Sequence, residues 1–194
     1  LGRIIGRSGL DGTLALDGTV TGNAASLETA GTLSGHALAY GELEVLDLDS
    51  TYAVAVADFD FVNARVQATS AATFLVVGGV ELNQLKATTT YAQKRMEFEA
   101  TVQQQTRELG VTGNAIFHPD HQELHLPALS LRADGIEWRN VPGSEAAIQY
   151  RQNEVSIKDL RLANGDQTLD VEGTLVLDAA NADLAALERD NQRL

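Results

Sequence analysis

Residues 10–20 read LDGTLALDGTV, and this stretch decides the fold class of the chain. Its even positions are apolar or glycine, and its odd positions are Asp, Thr and Ala. A period of two places successive side chains on opposite faces of a β-strand, whereas a helix would need a period of 3.6. The stretch therefore predicts a strand with one apolar face, formed by Leu14, Leu16 and Val20.

Two later stretches, residues 96–103 and 168–178, show the same alternation of apolar and polar residues. Acidic residues and threonines occupy most of the intervening positions, as expected for the solvent side of a strand. We therefore predict that all three stretches line one continuous apolar surface. The lining residues of the two later stretches are Met96, Phe98, Val102, Leu169, Val171, Leu175 and Leu177.

The alternation predicts an all-β chain of about twelve antiparallel strands over residues 1–180. A short helix is expected at residues 181–194, with Asn181 as its cap. The apolar face of such a sheet must be covered in some way. It can pack as a filled sandwich, close as a barrel, or curl into a partly open trough, and the residues alone leave these alternatives open.

The alternation slips by one residue at three places: between Leu82 and Leu85, across Pro127, and between Ile157 and Leu160. Each slip predicts a β-bulge or a break in the strand, because one extra residue moves every later side chain to the other face. Turn residues cluster at six further places. The predicted turns are Asp49-Ser50, Gly78-Gly79, Pro119-Asp120, Asp134-Gly135, Pro142-Gly143 and Asn164-Gly165-Asp166.

Composition excludes several classes of function. The 194 residues have a net charge of −13, which argues against nucleic acid as a partner because phosphate binding needs clustered Lys and Arg. The absence of cysteine excludes disulfides and thiolate metal sites. The chain begins at Leu1, and its one methionine is Met96. We therefore expect an internal piece of a longer protein.

A short motif of apolar, acidic, Gly, Thr and apolar residues begins at Leu10, Leu16 and Val171. Together with the one-faced strands of residues 124–178, it resembles the AsmA-like and TamB-like proteins of diderm bacteria. The resemblance implies a long, curled, partly open sheet with an apolar interior. It favours this groove over a filled sandwich, and it supplies no catalytic residues and no cofactor.

The same resemblance implies a function. It predicts a periplasmic segment of an inner-membrane-anchored protein that shields phospholipid acyl chains between the two membranes. An outer-membrane barrel protein of the Omp85 type is a further expected partner. One alternative is a scaffold for assembling outer-membrane proteins, and another is a filled β-sandwich or solenoid with carbohydrate-related activity.

Candidate chemistry is sparse, and we predict neither an enzyme nor a metal site. His118, His121, Glu123 and His125 have the side chains of metal ligands. On a straight strand, however, His121 and His125 would lie about 13 Å apart, too far for one ion. We therefore predict a polar outer surface there. The acid pairs Asp58 and Asp60, and Glu97 and Glu99, could serve a glycosidase but are expected to be solvated.

Overall fold

The computed structural model of the protein describes residues 10–23 and 25–176. The predicted helix at residues 181–194 and the lining residue Leu177 lie outside the described residues. Within them the chain is all-β, as predicted, with twelve strands and a single 3-10 turn at Phe61–Asn63. The strands are β1 (Leu10–Asn23), β2 (Ser26–Tyr40), β3 (Leu43–Ala57), β4 (Arg65–Val77), β5 (Val80–Ala92), β6 (Arg95–Gln104), β7 (Arg107–Phe117), β8 (Gln122–Ala133), β9 (Ile136–Asn140), β10 (Ala146–Arg151), β11 (Glu154–Asn164) and β12 (Gln167–Val176).

All twelve strands belong to one antiparallel sheet, in which strands β1 to β8 are neighbours in chain order. The sheet continues through β10, β11 and β12, and the short strand β9 pairs with both β8 and β11. In the described residues β1 pairs only with β2, and β12 pairs only with β11. Within residues 10–23 and 25–176 the sheet therefore has two unpaired edges and is not closed into a barrel.

The sheet is a single layer, because the substantial contacts between strands all join hydrogen-bonded neighbours. Eight apolar residues of the described chain are buried, and none of its large side chains is completely enclosed. The main buried cluster is formed by Val45 of β3 with Ala72 and Leu75 of β4. A filled sandwich would need a second sheet over this face, and the described residues contain none.

Two of the three predicted slips are β-bulges. The register of β7 with β8 shifts between Thr112 and Asn114, opposite the region of Pro127. The register of β11 with β12 shifts between Ile157 and Leu160, where Asp159 has a φ of 52°. Between Leu82 and Leu85, the pairing of β5 with β4 continues without a shift. Opposite that slip, Phe74 of β4 has a φ of 50°, so the irregularity is a local backbone twist without an inserted residue.

Five of the six predicted turns join strands, and the turn predicted at Asp49-Ser50 is wrong. Both residues lie inside β3, where Ser50 pairs with Leu33 on one side and Ser70 on the other. The Ser50 and Ser70 hydroxyl oxygens are 2.9 Å apart and form a hydrogen bond across the strands. Neighbours on both sides thus hold a polar dipeptide in an extended conformation that its local turn preference opposes.

Candidate functional site

The strand register places the nine described lining residues on one face of the sheet, because directly paired residues project to the same side. A row of residues crosses nine strands, and each member pairs directly with the next member on the neighbouring strand. The row begins at Leu14 of β1 and ends at Trp138 of β9. We call this the first apolar row, and it contains no polar side chain. Its members are Leu14, Gly35, Leu48, Ala72, Leu85, Val102, Leu109, Leu131 and Trp138.

A second apolar row runs parallel to the first and reaches both edges of the sheet. It crosses eleven strands, and its polar groups are the hydroxyls of Thr29 and Tyr91. No charged side chain belongs to either row. The members of the second row are Val20, Thr29, Val54, Val66, Tyr91, Met96, Ala115, Leu124, Ile148, Ile157 and Gly173.

The other predicted lining residues lie on the same face. Leu16 lies between the two rows on β1, and Phe98 lies between them on β6. On β12, Leu169, Val171 and Leu175 pair with apolar residues of β11. The structure thus places the described lining residues of three separate stretches on one face of the sheet, on strands β1, β6 and β12 that are not neighbours.

This apolar face is uncovered at the edges of the sheet and more sheltered in its middle. On β1, the side chains of Leu16 and Val20 are 66% and 70% exposed, and Leu175 of β12 is 58% exposed. Leu14 and Leu169 are also exposed, whereas Met96, Phe98, Val102 and Val171 are half-buried. A soluble domain rarely leaves such large apolar side chains uncovered in a contiguous group, which makes this face a candidate binding surface.

The opposite face of the same strands is polar. A row of successive partners across β1 to β7 is made of hydroxyl and carboxylate side chains. The contrast between the two faces is therefore continuous across β1 to β7. The row consists of Asp17, Thr32, Thr51, Thr69, Thr88, Glu99 and Thr112.

Glycines on the apolar face allow larger side chains to lie close to the backbone. A Cβ atom built on Gly18 would be 2.8 Å from the Tyr52 hydroxyl oxygen. A Cβ atom on Gly113 would be 2.8 Å from the ring of Phe98 and 2.9 Å from Leu126. The predicted lining residue Phe98 therefore lies directly over a glycine of the next strand.

A cavity of about 820 Å³ lies against the middle of strands β2 to β6. Each strand contributes three consecutive residues to its walls, many of them Ser, Thr or Ala. Five of them, Thr32, Thr51, Thr69, Thr88 and Glu99, belong to the row of hydroxyl and carboxylate side chains on the polar face. No member of either apolar row lines this cavity, so it borders the polar face of the sheet.

The polar residues at the β7–β8 connection form a compact cluster around Glu123. The Glu123 carboxylate oxygens lie 3.0 Å from His121 Nε2 and 3.3 Å from His125 Nε2. His118 Nε2 lies 3.9 Å from the same carboxylate, and its ring stacks on that of His121 with centroids 4.4 Å apart. On the far side of the His121 ring, Nδ1 is 2.9 Å from a carboxylate oxygen of Asp120.

These contacts shift the ionisation of the cluster. The hydrogen bond to Asp120, followed by that to Glu123, raises the pKa of His121. The hydrogen bonds from His121 and His125 lower the pKa of Glu123, and the bond with His121 lowers the pKa of Asp120. Each partner favours the charged form of the other, so near neutral pH the cluster contains at least two carboxylates stabilised by imidazole donors.

The straight-strand geometry assumed from the sequence is wrong for this cluster. Strand β8 begins at Gln122, so His121 lies in the preceding turn. A hydrogen bond from the backbone N–H of His118 to the carbonyl of His121 closes that turn. The turn brings His118 and His121 back over Glu123, and no residue pattern within the strand could have predicted this. Glu123 and His125 lie on the polar face, opposite Leu124, as predicted.

The two acid pairs have ordinary structural surroundings. Asp60 accepts hydrogen bonds from the side chain and backbone of Asn63, which lower its pKa and hold the 3-10 turn. Glu97 lies 3.4 Å from Arg95 and is largely exposed on the polar face. Glu97 and Glu99 both line a cavity of about 350 Å³ with Thr88, Thr90 and Thr112.

The fold and its surfaces define a single-layer antiparallel β-sheet protein with one apolar and one polar face. Comparisons with protein-family models, with curated proteins and with solved structures gave no match. The resemblance to AsmA-like and TamB-like proteins therefore stays a prediction. In the part of the chain that the structure describes, no helix is long and apolar enough to cross a membrane.

Proposed function

We propose that this chain is a segment of a phospholipid conduit in the periplasm, in which the apolar face shields acyl chains. The observation that carries the proposal is the second apolar row, which crosses the sheet from β1 to β12 without a charged residue. An acyl chain needs an apolar path along which no buried charge must be passed, since an unpaired charge in such a path costs several kcal/mol or more.

The exposure of the lining supports the same function. Leu16, Val20 and Leu175 lie more than half exposed, so ligand contact would bury apolar area that the sheet itself leaves in water. Burial of this area by acyl chains is favourable at roughly 25 cal/mol per Å². The polar face, with its threonine row and carboxylates, would stay in water. Headgroups would remain at the open edges of the lipid-covered face.

Site-specific photo-crosslinking tests the lipid contact. Crosslinkers placed at Leu14, Leu16 and Phe98 are expected to capture phospholipid, since these positions share the apolar face. Crosslinkers at Asp17 and Glu97 are the matched controls, because they lie one residue away on the opposite face of the same strands. Equal labelling of the two sets would contradict the proposal.

A charge placed in the path tests conduction. Phe98→Arg and Val171→Asp are expected to stop phospholipid transfer between donor and acceptor vesicles by the complete protein. Glu99→Arg and Thr174→Asp are the controls, since they change charge on the polar face of the same strands. Circular dichroism melting shows whether each variant remains folded. A folded Phe98→Arg or Val171→Asp protein with normal transfer would refute the path.

A second candidate function follows from the free edges of the sheet. Strand β1 is 14 residues long, and in the described residues one side of it has no partner strand. An unpaired edge can bind another strand through backbone hydrogen bonds, which suits a scaffold for client proteins during outer-membrane assembly. In that function a single charge on the apolar face would matter little, so the transfer experiment also separates the two proposals.

A further inference from the structure

The turn between β7 and β8 contains the donor atoms of a divalent metal site. His118, His121 and Glu123, here called the turn cluster, each place one ligand atom within 4.8 Å of the other two. Both histidines direct Nε2 toward the Glu123 carboxylate, at 3.9 Å and 3.0 Å. Two imidazole nitrogens and one carboxylate oxygen form a ligand set that suits zinc and related first-row ions.

We propose that the turn cluster binds one zinc-class divalent ion. Zinc binds imidazole nitrogen and carboxylate oxygen at about 2.0–2.2 Å, so the ligand atoms of a tetrahedral site lie about 3.4 Å apart. The present separations, up to 4.8 Å, require the cluster to contract by up to about 1.4 Å. The side chain of His118 is 39% exposed and lies in a turn, so its rotation provides this movement.

A second shell of contacts prepares His121 for metal binding. Its Nδ1 atom is hydrogen-bonded to Asp120, and Arg151 lies 3.5 Å from the other Asp120 oxygen. With the Nδ1 proton held by a carboxylate, the lone pair of the neutral ring is at Nε2, toward Glu123. This arrangement of carboxylate, histidine and metal is the usual outer shell of histidine ligands, and it fixes both tautomer and ring orientation.

The local charge also favours a divalent cation. Three carboxylates surround the histidines: Asp120, Glu123 and Glu145, the last 3.5 Å from His125. Arg151 is the cation that contacts them, so with neutral histidines a net charge of about −2 remains. A divalent ion would neutralise it. His125 holds the second oxygen of Glu123 and acts as a positioning residue.

Isothermal titration of the purified chain with zinc chloride at pH 7.5 tests the proposal, with cobalt(II) as a spectroscopic probe. We expect one ion per chain and the visible absorption of tetrahedral cobalt. His121→Ala and the nearly isosteric Glu123→Gln should each weaken binding at least about tenfold, and Asp120→Asn about tenfold to a hundredfold. His36→Ala is the matched control, because His36 pairs with Asp47 on the strand pair β2–β3.

Circular dichroism confirms that each variant is folded before titration. Stoichiometric binding that His121→Ala, Glu123→Gln and Asp120→Asn weaken and His36→Ala leaves unchanged supports the site. The absence of zinc binding by the parent chain overturns it. So does equal weakening by His36→Ala, which would indicate general attachment to surface histidines, or unchanged binding by a folded Glu123→Gln protein.

Discussion

Strands β1 and β4 have similar one-faced patterns but opposite burial. The apolar residues Leu16 and Val20 of β1 are 66% and 70% exposed, whereas Ala72 and Leu75 of β4 are 2% and 5% exposed. The difference arises because β4 has a strand on each side, and its neighbours contribute leucines and Val45 to one cluster. Among the strands that the structure describes, β1 has a neighbour on one side only. The alternation thus assigns a side chain to a face, and the neighbouring strands decide whether it is buried.

The largest effect is expected from emptying the buried cluster. Leu75→Ala should lower the free energy of unfolding by roughly 2–3 kcal/mol, because it removes buried methyl groups and leaves a cavity. The value lies in the lower part of the usual range, since a single-layer sheet can partly close the gap. Urea unfolding followed by circular dichroism measures it. A loss below about 1 kcal/mol would contradict the assignment of this cluster as the core.

Replacing a glycine of the apolar face with a larger residue should have the second largest effect on stability. Gly113→Val is expected to cost about 1–3 kcal/mol, because its side chain would clash with the backbone carbonyl of His125 as well as with the Phe98 ring and Leu126. Gly173→Val is the matched control on the same face. A Cβ atom there meets nothing within 4 Å, and valine favours strands, so its stability should be unchanged or higher. Equal losses in both variants would refute the close packing at Gly113.

Truncation on the exposed edge strand should have a small effect on stability. Leu16→Ala is expected to change the free energy of unfolding by less than about 1 kcal/mol, because most of the side chain is already in water. The same urea experiment compares it directly with Leu75→Ala. If both variants lost equal stability, β1 would be covered in solution, and the contrast between the two strands would disappear.

The smallest effect on stability is expected from the interaction of His121 with Glu123, and this effect depends on pH. The raised pKa of His121 stabilises the fold below its ordinary value of 6.5, and this contribution is lost as pH rises through the raised value. The lowered pKa of Glu123 stabilises the fold above 4.5, and this contribution is lost as pH falls through the lowered value. Both contributions are therefore present between pH 4.5 and 6.5.

Melting curves of the parent chain and His121→Ala at several pH values measure this dependence. The difference in melting temperature should be largest between pH 4.5 and 6.5 and smaller at pH 3 and pH 9. The partners are partly exposed, so solvent screens their interaction and the effect should stay below that of Leu75→Ala. A difference that is constant over the whole range would exclude the His121–Glu123 ion pair as its source.

The turns between strands show which connections the local sequence could predict and which it could not. Turns marked by glycine or proline, such as Gly78-Gly79 and Asp134-Gly135, were predicted and are present. The turn at Gln93-Lys94 was missed, because both residues have positive φ values, 52° and 62°, that such side chains rarely adopt. The pairing of β5 with β6 on either side of the turn imposes this conformation. The alternation of the strands on either side indicated this turn, but neither Gln93 nor Lys94 is a typical turn residue.

The sequence by itself determined the all-β fold and the face to which each described lining residue belongs, because a period of two is a local property of the strand. Only the tertiary structure decided how exposed those residues are, since burial depends on strands far apart in the chain. It also brought His118 and His121 to Glu123, because a turn between two strands reverses the chain direction there. The alternation of residues can predict which face of the sheet a side chain lies on. Distances between side chains across a turn depend instead on the paired strands on either side of that turn.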